Sequence, residues 1–329
     1  MTDESKPSLL GTLTRGGLVA VAAWIAYSRF GVDHAVELAP AIDAEQVRFR
    51  SESEGFISYY ADTSGSGRPL VLIHSVNAAA SAYEMRPIFE RYRGTRPVYA
   101  IDLPGFGFSE RADSRYSPAH YTGALLEFMQ RVATREDPAD VIALSLGSEF
   151  AARAAVFRPQ LFRSLTLISP SGLSRPESRV GVQTAEANGW SDAARAFLGF
   201  PLWSQAFFDL LATPASIRWF LQQSFFGDPD PGLVEYAIAT AHQPGARFAP
   251  VAFVSGGLFS PDVLTTYLSL TLPTLVLYDR DPYVKFDALP MLLREHPNWF
   301  GERITPTRGL PQFERMDDVA AALDKFWTL

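Results

Sequence analysis

Residues 140–152 carry a pattern that few folds accommodate: a strand, then a sharp turn, then a helix. The sequence there reads DVIALSLGSEFAA, an apolar run that ends on Ser145 and leads directly into an alanine-rich helical pattern. Ala143 and Gly147 flank Ser145 with small side chains, as is needed where a strained turn lifts one side chain out of the backbone. The Ser145 hydroxyl would then lie beside the unpaired amides of a helix N-terminus, which favour a developing oxyanion. The pattern therefore predicts a serine nucleophile.

A second distinctive string, DLPGFGFS, occupies residues 102–109 after a predicted strand. Its proline fixes φ and its two glycines permit left-handed turns, so it predicts a tight loop. The two stretches resemble the α/β-hydrolase superfamily, lidded serine-hydrolase-like branch, whose nucleophile lies in a G-x-S-x-G motif; here Ala143 replaces the first glycine. The resemblance implies an α/β fold with a mostly parallel sheet flanked by helices. It also implies a helical lid inserted between the sixth and seventh strands.

The resemblance also assigns the groups that would stabilise an oxyanion. A buried apolar strand is predicted over residues 69–74 and ends in His74, where the family usually forms half of its oxyanion hole. The amides of Val76 and of Leu146, the residue after the nucleophile, are the two expected donors. His74 itself is expected to hold the loop through hydrogen bonds rather than to carry protons.

The acid and base of a triad are expected after the strand that follows the lid. Residues 279–282 read DRDP, which places Asp281 at the matching position, with Asp279 as the alternative. Residues 307–314 read TRGLPQFE, and the resemblance aligns Gly309 with the usual histidine; no histidine follows His296. The sequence therefore predicts a Ser-His-Asp triad without its histidine at the usual position.

Three residues are candidates for an alternative base or charge partner. His242 lies in the predicted lid and could reach over the pocket, and His120 lies early in a helix beside the pocket mouth. Arg308 adjoins Gly309, but a guanidinium stays protonated and could only compensate the charge of Asp281. Lone histidines are more often structural or exposed, so the identity of the base stays open.

Three segments are predicted along the chain. Residues 1–32 form a hydrophobic, anchor-like helix, residues 33–172 and 270–329 form the α/β core, and residues 173–269 form the helical lid. Between Trp190 and Tyr267 the chain has 15 aromatic residues, which exceeds what the lid's own core needs. The excess predicts an apolar pocket or a membrane-facing surface, and therefore a hydrophobic small-molecule or lipid-like ligand.

Residues 9–27 form an apolar stretch, LLGTLTRGGLVAVAAWIAY, whose one charge is Arg15. A membrane span needs about 20 apolar residues, so crossing would require Arg15 to snorkel at one edge. The stretch predicts a membrane or membrane-protein partner, with the helix spanning the bilayer or lying on its surface. The alternative is a helix packed on the body of the protein. We expect a membrane-associated protein that is otherwise cytoplasmic.

Composition narrows the function classes. The net charge is −7 and no Lys/Arg-rich run occurs, which argues against nucleic acid as a partner. The absence of cysteine excludes disulfides and thiolate chemistry, and we expect neither a cofactor nor a metal. Two functions remain. One is a serine hydrolase of hydrophobic esters with an unconventional base; the other is a catalytically silent relative that binds an apolar ligand or serves in a membrane complex.

Overall fold

The structure is a computed structural model that describes residues 9–52, 55–174 and 190–328. The first eight residues of the predicted N-terminal segment and residues 175–189 of the predicted lid lie outside the described residues. Eight strands form one sheet: β1 Glu45–Ser51, β2 Gly55–Asp62, β3 Leu70–Ile73, β4 Val98–Asp102, β5 Ala139–Leu144, β6 Phe162–Ile168, β7 Thr274–Tyr278 and β8 Trp299–Arg303. Their order across the sheet is β1-β2-β4-β3-β5-β6-β7-β8.

The sheet is mostly parallel, as the sequence predicts. Strands β1 and β2 pair antiparallel, as do β2 and β4, whereas every pair from β4 to β8 is parallel. Strands β3 and β5 are buried along their whole length because helices cover both faces of the sheet. In β3, Val71 and Ile73 join the core on one face, while Leu70 and Leu72 join the core on the other. The same period of two continues in β5.

The helices follow the strand order. They are α1 Leu9–Gly31, α2 Arg86–Tyr92, α3 Pro118–Val132, α4 Gly147–Phe157, α5 Trp190–Leu198, α6 Ser204–Leu211, α7 Pro214–Gln223, α8 Pro231–Ala241, α9 Phe248–Val254, α10 Val263–Leu268, α11 Leu289–Glu295, α12 Pro311–Glu314 and α13 Met316–Trp327. Helices α3 and α4 pack on one face of the sheet, and α2 and α13 pack on the other. This is the α/β architecture predicted from the sequence.

The sequence also predicts a polar helix over about residues 82–92 and a last strand near residues 303–305, and both have different limits in the structure. The last strand was expected near residues 303–305, but β8 ends at Arg303. It lies at the edge of the sheet and only Trp299 is buried, so its apolar signal is weak. The single helix expected over residues 82–92 is a 3-10 turn, Ala82–Met85, followed by α2. Pro87 lies in the first turn of α2, where its missing N–H costs nothing.

Helices α5–α10 lie between β6 and β7 along the chain. Helices α6–α8 form an apolar cluster that includes Phe208, Ile217 and Ala241, and Ala78 and Ala79 of the loop after β3 pack against it. The aromatic residues of this segment divide into two groups. Buried ones are Phe208, Phe225, Tyr236 and Tyr267; exposed ones include Phe197, Phe200, Trp219, Phe220 and Phe226. Of the buried aromatics, Phe208 lies in the cluster of α6–α8 and the other three pack into the core of the sheet, while the exposed ones form an aromatic surface.

Helix α1 packs against α6. The Trp24 indole Nε1 donates to the Ala206 carbonyl at 2.8 Å, and the Ser28 hydroxyl donates to the Asp209 carboxylate at 2.5 Å. His34 Nε2 lies 2.9 Å from the same carboxylate. Within the residues that the structure describes, no helix has both the length and the apolar character needed to cross a membrane.

Candidate active site

Ser145 occupies the turn between β5 and α4, with a φ of 50°. A positive φ is unusual for a residue other than glycine and marks local strain. Its amide donates to the Ile168 carbonyl at 2.9 Å, which ties the turn to the neighbouring strand β6. Leu144 and Leu146 on either side are 1% exposed, whereas Ser145 is partly exposed. The turn therefore presents the serine side chain while its neighbours stay in the core.

Gly147 brings the first turn of α4 against the loop after β3. A Cβ at this position would overlap with the His74 carbonyl oxygen, so a larger residue would require the backbone to move. Val76 and Leu146, whose amides are predicted to form the oxyanion hole, are both buried in the same apolar core. Their loops adjoin because β3 and β5 are paired neighbours in the sheet.

His74 holds this loop through both ring nitrogens. Its Nδ1 lies 2.5 Å from the Ser75 carbonyl, and its Nε2 accepts from the Leu103 amide at 2.9 Å. A carbonyl can only accept, so the proton is on Nδ1 and the ring is neutral. Burial lowers the pKa of His74 to about 4, which keeps the ring neutral at pH 7. These contacts agree with the structural role expected from the sequence.

A buried carboxylate, Glu84, organises the same loop from the opposite side. It accepts from the Ser75 amide at 2.8 Å, the Ser75 hydroxyl at 2.9 Å and the Asn77 side-chain amide at 3.0 Å. Its own carbonyl accepts from the Gln312 side chain at 2.9 Å. Burial raises the pKa of Glu84, although these hydrogen bonds oppose the shift. Sequence reasoning missed Glu84 because the polar pattern of residues 82–92 does not show that this side chain is buried.

A second buried carboxylate, Glu149, lies one turn after Ser145 in α4. It accepts from the Ser171 hydroxyl at 2.5 Å and from the Ser260 amide at 3.0 Å. The Tyr267 hydroxyl completes the group by donating to the Ser171 carbonyl at 2.9 Å. Burial raises the pKa of Glu149 to about 7, and the hydrogen bonds from Ser171 and Ser260 oppose the rise. The first turn of α4 is thus joined to the segment between α9 and α10.

Asp281 lies in the loop after β7. Its Oδ1 accepts from the amides of Tyr283 at 2.7 Å and Val284 at 2.9 Å. Burial raises the pKa of Asp281, and the two backbone hydrogen bonds oppose the shift. A Cβ at Gly309 would lie 3.0 Å from Asp281 Oδ2. The position aligned with the usual histidine therefore adjoins the predicted acid, and a side chain there would point towards it.

Asp279, the alternative acid, has structural contacts of its own. It forms an ion pair with Arg303 at 2.7 Å and accepts from the Thr307 amide at 3.0 Å. Burial alone would raise the pKa of Asp279, but these hydrogen bonds outweigh it and lower the pKa. Because Asp279 holds the β8 edge to the loop after it, Asp281 is the better placed of the two carboxylates.

Arg308 points towards the helical segment. Its Nη1 donates to the Gln223 carbonyl at 3.1 Å, at the end of α7, and its amide donates to Glu314 at 2.9 Å. Glu314 also accepts from the amides of Phe226 at 2.6 Å and Gly227 at 3.3 Å. Arg308 and Glu314 together fasten the end of α7 to the loop that contains Gly309.

The two candidate histidines lie in different surroundings. His120 is in the first turn of α3, with ring centroids of Tyr116 at 4.9 Å and Tyr121 at 5.5 Å, and burial lowers its pKa to about 4. His242 caps the end of α8, and its Nδ1 donates to the Ile238 carbonyl at 2.7 Å. Its neighbour Ala241 belongs to the cluster against which the loop after β3 packs.

Ser145, Asp281 and Gly309 follow β5, β7 and β8, so all three lie at the carboxyl edge of parallel strands, where ligands bind in open α/β sheets. Within the described ranges, no group of three or more His, Cys, Asp or Glu residues could hold a metal ion. The edge therefore combines a strained serine, two buried amide positions and a carboxylate.

A family model described as "Alpha/beta hydrolase family" matches residues 70–322, well over half of the chain. The chain belongs to this family. The alpha/beta hydrolase sheet accounts for the parallel strands β3–β8, and the family assignment confirms the resemblance found in the sequence.

Curated relatives of this alpha/beta hydrolase include enzymes of several chemistries. The 2-hydroxymuconate semialdehyde hydrolase of Pseudomonas putida is 32% identical over 122 residues, which cover 37% of this chain and 42% of the relative. A rat (Rattus norvegicus) protein named 1-acylglycerol-3-phosphate O-acyltransferase ABHD5 is 29% identical over 138 residues, 40% of this chain and 38% of the relative. The matched part spans about two-fifths of each relative.

Solved structures of the same fold cover more of the chain. A serine hydrolase involved in carbazole degradation has a TM-score of 0.66 at 19% identity. The match covers 86% of this chain and 99% of the chain of that hydrolase. A bacterial membrane phospholipase A has a TM-score of 0.64 at 18% identity. The match covers 97% of this chain and 96% of the phospholipase chain. At these identities the likeness establishes the fold alone.

Proposed function

We propose that this alpha/beta hydrolase is a serine hydrolase that cleaves a hydrophobic or lipid-like ester through Ser145. The observation that carries the proposal is the turn at Ser145, with its φ of 50° and a partly exposed side chain between two buried leucines. A strained, presented serine at a helix N-terminus suits a nucleophile better than a structural hydroxyl. Hydrolases and esterases among the curated relatives support the same reaction class.

In the proposed reaction, the Ser145 hydroxyl oxygen attacks the ester carbonyl carbon as a base takes its proton. The amides of Val76 and Leu146 then donate to the carbonyl oxygen, which becomes an oxyanion. Collapse of this intermediate expels the alkoxide, which receives the proton from the base, and leaves an acyl group on Ser145. A water molecule, deprotonated by the same base, releases the acid and restores the serine hydroxyl.

We propose His242 as the base, since Gly309 cannot act as one. Its Nδ1 is bonded to the Ile238 carbonyl, so the proton is on Nδ1 and Nε2 of the neutral ring can accept one. Ala241 belongs to the apolar cluster against which Ala78 and Ala79, two and three residues after Val76, pack, which supports a position near the oxyanion loop. His120 is the weaker candidate because burial lowers its pKa to about 4. Asp281, beside Gly309, would stabilise positive charge at this edge.

Ester hydrolysis tests the assignment. Purified wild type is compared with Ser145→Ala, His242→Gln and His120→Gln on p-nitrophenyl esters of increasing acyl length. We expect Ser145→Ala to lose all enzymatic turnover, His242→Gln to lose roughly 10²–10⁴-fold, the usual contribution of a general base, and His120→Gln to stay near wild type. Turnover that survives Ser145→Ala would contradict the proposal, and a wild type without turnover on any ester would favour the catalytically silent alternative.

We also propose that α1 and the neighbouring α6 face a lipid surface. Trp24 and Ser28 hold α1 against α6, while Leu18, Val19 and Val21 of α1 are exposed. Leu202, two residues before α6, and Leu210, near its end, are exposed as well. Exposed apolar side chains on two packed helices are typical of a surface that contacts a membrane or another protein.

Flotation with phosphatidylcholine vesicles tests this second proposal. We expect the wild type to float with the vesicles and a Leu18→Asp/Val19→Asp variant to remain with the soluble fraction. The matched control is Val156→Asp, which changes an exposed valine on α4 of the α/β core and should not alter flotation. Equal flotation of both variants would overturn the assignment of this surface.

A further inference from the structure

An open cleft of about 430 Å³ lies outside the groups proposed for catalysis. Its walls come from the loop at residues 113–115, from α5 and the turn after it, from the first residue of α6, and from α9 with the residue before it. None of the residues proposed to act on the ester lines it. The cleft combines charged and apolar walls, the arrangement found in sites for small amphiphilic ligands.

The charged wall has an excess of arginine. Arg115, Arg195 and Arg247 line the cleft together with Asp113 and Asp192. Arg115 and Asp192 form a pair at 3.5 Å, but both side chains are largely exposed, so this pair contributes little. Arg195 Nη2 donates to the Ser114 carbonyl at 3.3 Å, a neutral acceptor. Three arginines and two aspartates therefore line the cleft, which leaves an excess of one positive charge.

Arg247 is the least satisfied of these cations. Its Nη1 donates to the Gln205 side chain at 2.8 Å, while its Nε is buried and has no hydrogen-bond partner within the described part of the chain. Burial lowers the pKa of Arg247, with Asp113 and Asp209 opposing the shift. An anion in the cleft would stabilise this half-buried guanidinium by its charge, and Arg can bind two oxygens of one anion in a fork.

The remaining wall is apolar. Phe248 lies under the guanidinium of Arg247, with its ring centroid 4.2 Å from Cζ. Phe200, Pro201 and Val251 continue this wall. A ligand that fills the cleft would therefore place an anionic head near Arg247 and Arg195 and an alkyl part against Phe200 and Val251.

We propose that this cleft binds a single-chain amphiphile with a carboxylate or phosphate head. The inference is independent of the proposed ester hydrolysis, since the cleft contains neither Ser145 nor Asp281. The two head groups share the chemistry that a guanidinium recognises, and the choice between them is a matter for measurement.

Isothermal titration with decanoate, decyl phosphate and decanol tests the proposal on the full chain. We expect at least one anionic ligand to bind about 10-fold or more tightly than decanol, since a hydrogen bond to a charged group supplies a difference of that size. Tighter binding of decanoate would identify a fatty carboxylate as the ligand class, and tighter binding of decyl phosphate would identify a phosphate monoester. Equal affinity for decanol and both anions would overturn the proposal.

Arg247→Met tests whether the anionic ligand binds in this cleft, because methionine keeps the apolar stem of the side chain and removes the charge. We expect a loss of about 10-fold or more for the anionic ligand and no change for decanol. The control is Arg218→Met, an exposed arginine on α7 that does not line the cleft. If Arg247→Met does not fold, Arg195→Met serves instead, with a loss of about threefold to 10-fold expected. Unchanged affinity in the folded cleft variant would place the ligand elsewhere and overturn the proposal.

Discussion

The two sides of the candidate site are held in place by different parts of the molecule. On the serine side, the buried groups His74, Glu84 and Glu149 fix the loops around Ser145 with hydrogen bonds in the α/β core, and Glu149 also accepts from Ser260 in the segment between β6 and β7. On the acid side, backbone amides hold Asp281, and the surrounding loops are fastened to the end of α7 by Arg308 and Glu314. The serine side is thus held mainly by buried side chains around its loops, whereas the acid side, with Gly309 at the position aligned with the usual histidine, is held by backbone amides and by contacts with the end of α7. The proposed nucleophile and oxyanion donors can be in place without a complete triad.

The largest expected effect comes from restoring a base on the acid side. Gly309→His would add an imidazole whose Cβ lies 3.0 Å from Asp281 Oδ2, so the carboxylate must shift by a few tenths of an ångström. In a His242→Gln background, where the proposed base is absent, we expect the rate of Ser145 acylation to rise by roughly 10²–10⁴-fold, the usual contribution of a general base. Stopped-flow measurement of p-nitrophenol release gives this rate. Gly309→Ala, which adds only the Cβ, should not accelerate the reaction; equal rates in the two variants would mean that the position lies out of reach of the serine.

A pH-dependent stability is expected from the serine side. The pKa of Glu149 is raised from its ordinary 4.5 to about 7, so the folded state holds this proton more tightly than the unfolded state does. The stability from this group is fully present below about pH 4.5 and is lost as the pH rises to about 7, a change on the order of 3 kcal/mol. Glu149→Gln should remove that part of the pH dependence, as measured by urea unfolding at pH 5 and pH 7.

Other buried acids also lose stabilising free energy as the pH rises. They contribute equally to the wild type and to Glu149→Gln, so they cancel when these two proteins are compared. In both proteins, burial raises the pKa of Asp102 to about 6, and it also raises the pKa values of Glu84 and Asp281. Arg153 and Tyr267 are the charged and titratable groups whose fields act with Glu149. If the two proteins lose the same free energy of unfolding between pH 5 and pH 7, Glu149 is already ionised in the fold and the expectation is wrong.

A smaller effect is expected where α4 meets the loop after β3. Gly147→Ala would place a methyl group onto the His74 carbonyl, and we expect a loss of about 1–3 kcal/mol in the free energy of unfolding together with slower acylation. Gly123→Ala in α3 is the matched control. Its Cβ would meet nothing within 4 Å, so the better helix propensity of alanine should stabilise the protein by up to about 1 kcal/mol. Chemical denaturation of both variants distinguishes close packing from a general effect of the extra methyl group.

The smallest effect concerns the fastening of α7. Glu314→Ala removes the acceptor for the amides of Phe226, Gly227 and Arg308, which are partly exposed to solvent, and should cost about 1 kcal/mol. Hydrogen exchange should become faster in residues 220–228 and stay unchanged at the serine side. Faster exchange at Ser145 as well would show that the two sides are not held independently.

The sequence predicts the features of this site that local residues determine. The turn at Ser145 follows from an apolar run and two small neighbours, and the placement of Asp281 follows from an Asp-Pro pair after a strand. A short local string aligns Gly309 with the usual histidine position of the family, and in the structure Gly309 adjoins Asp281. These patterns are contiguous, so no knowledge of distant contacts is needed.

The supporting carboxylates could not be predicted in this way. The Glu149 carboxylate accepts from Ser260, 111 positions later, and the backbone carbonyl of Glu84 accepts from Gln312, 228 positions later. In a helical pattern, a glutamate with distant partners looks the same as one facing solvent, because only the tertiary fold buries it. The edge strand β8 was misplaced for a related reason, since an exposed strand carries little apolar periodicity. The docking of α1 on α6 depends on Asp209, about 180 positions away from Ser28.

Covalent labelling of Ser145 tests the central claim most directly. The purified protein is treated with a fluorophosphonate probe, and the adduct is located by peptide mass spectrometry. We expect the wild type to form one adduct on Ser145 and Ser145→Ala to form none. Gly309→His should form the Ser145 adduct faster than the wild type does. A wild type and a Gly309→His variant that both remain unlabelled, or an adduct on another serine, would contradict the account of Ser145 as the nucleophile.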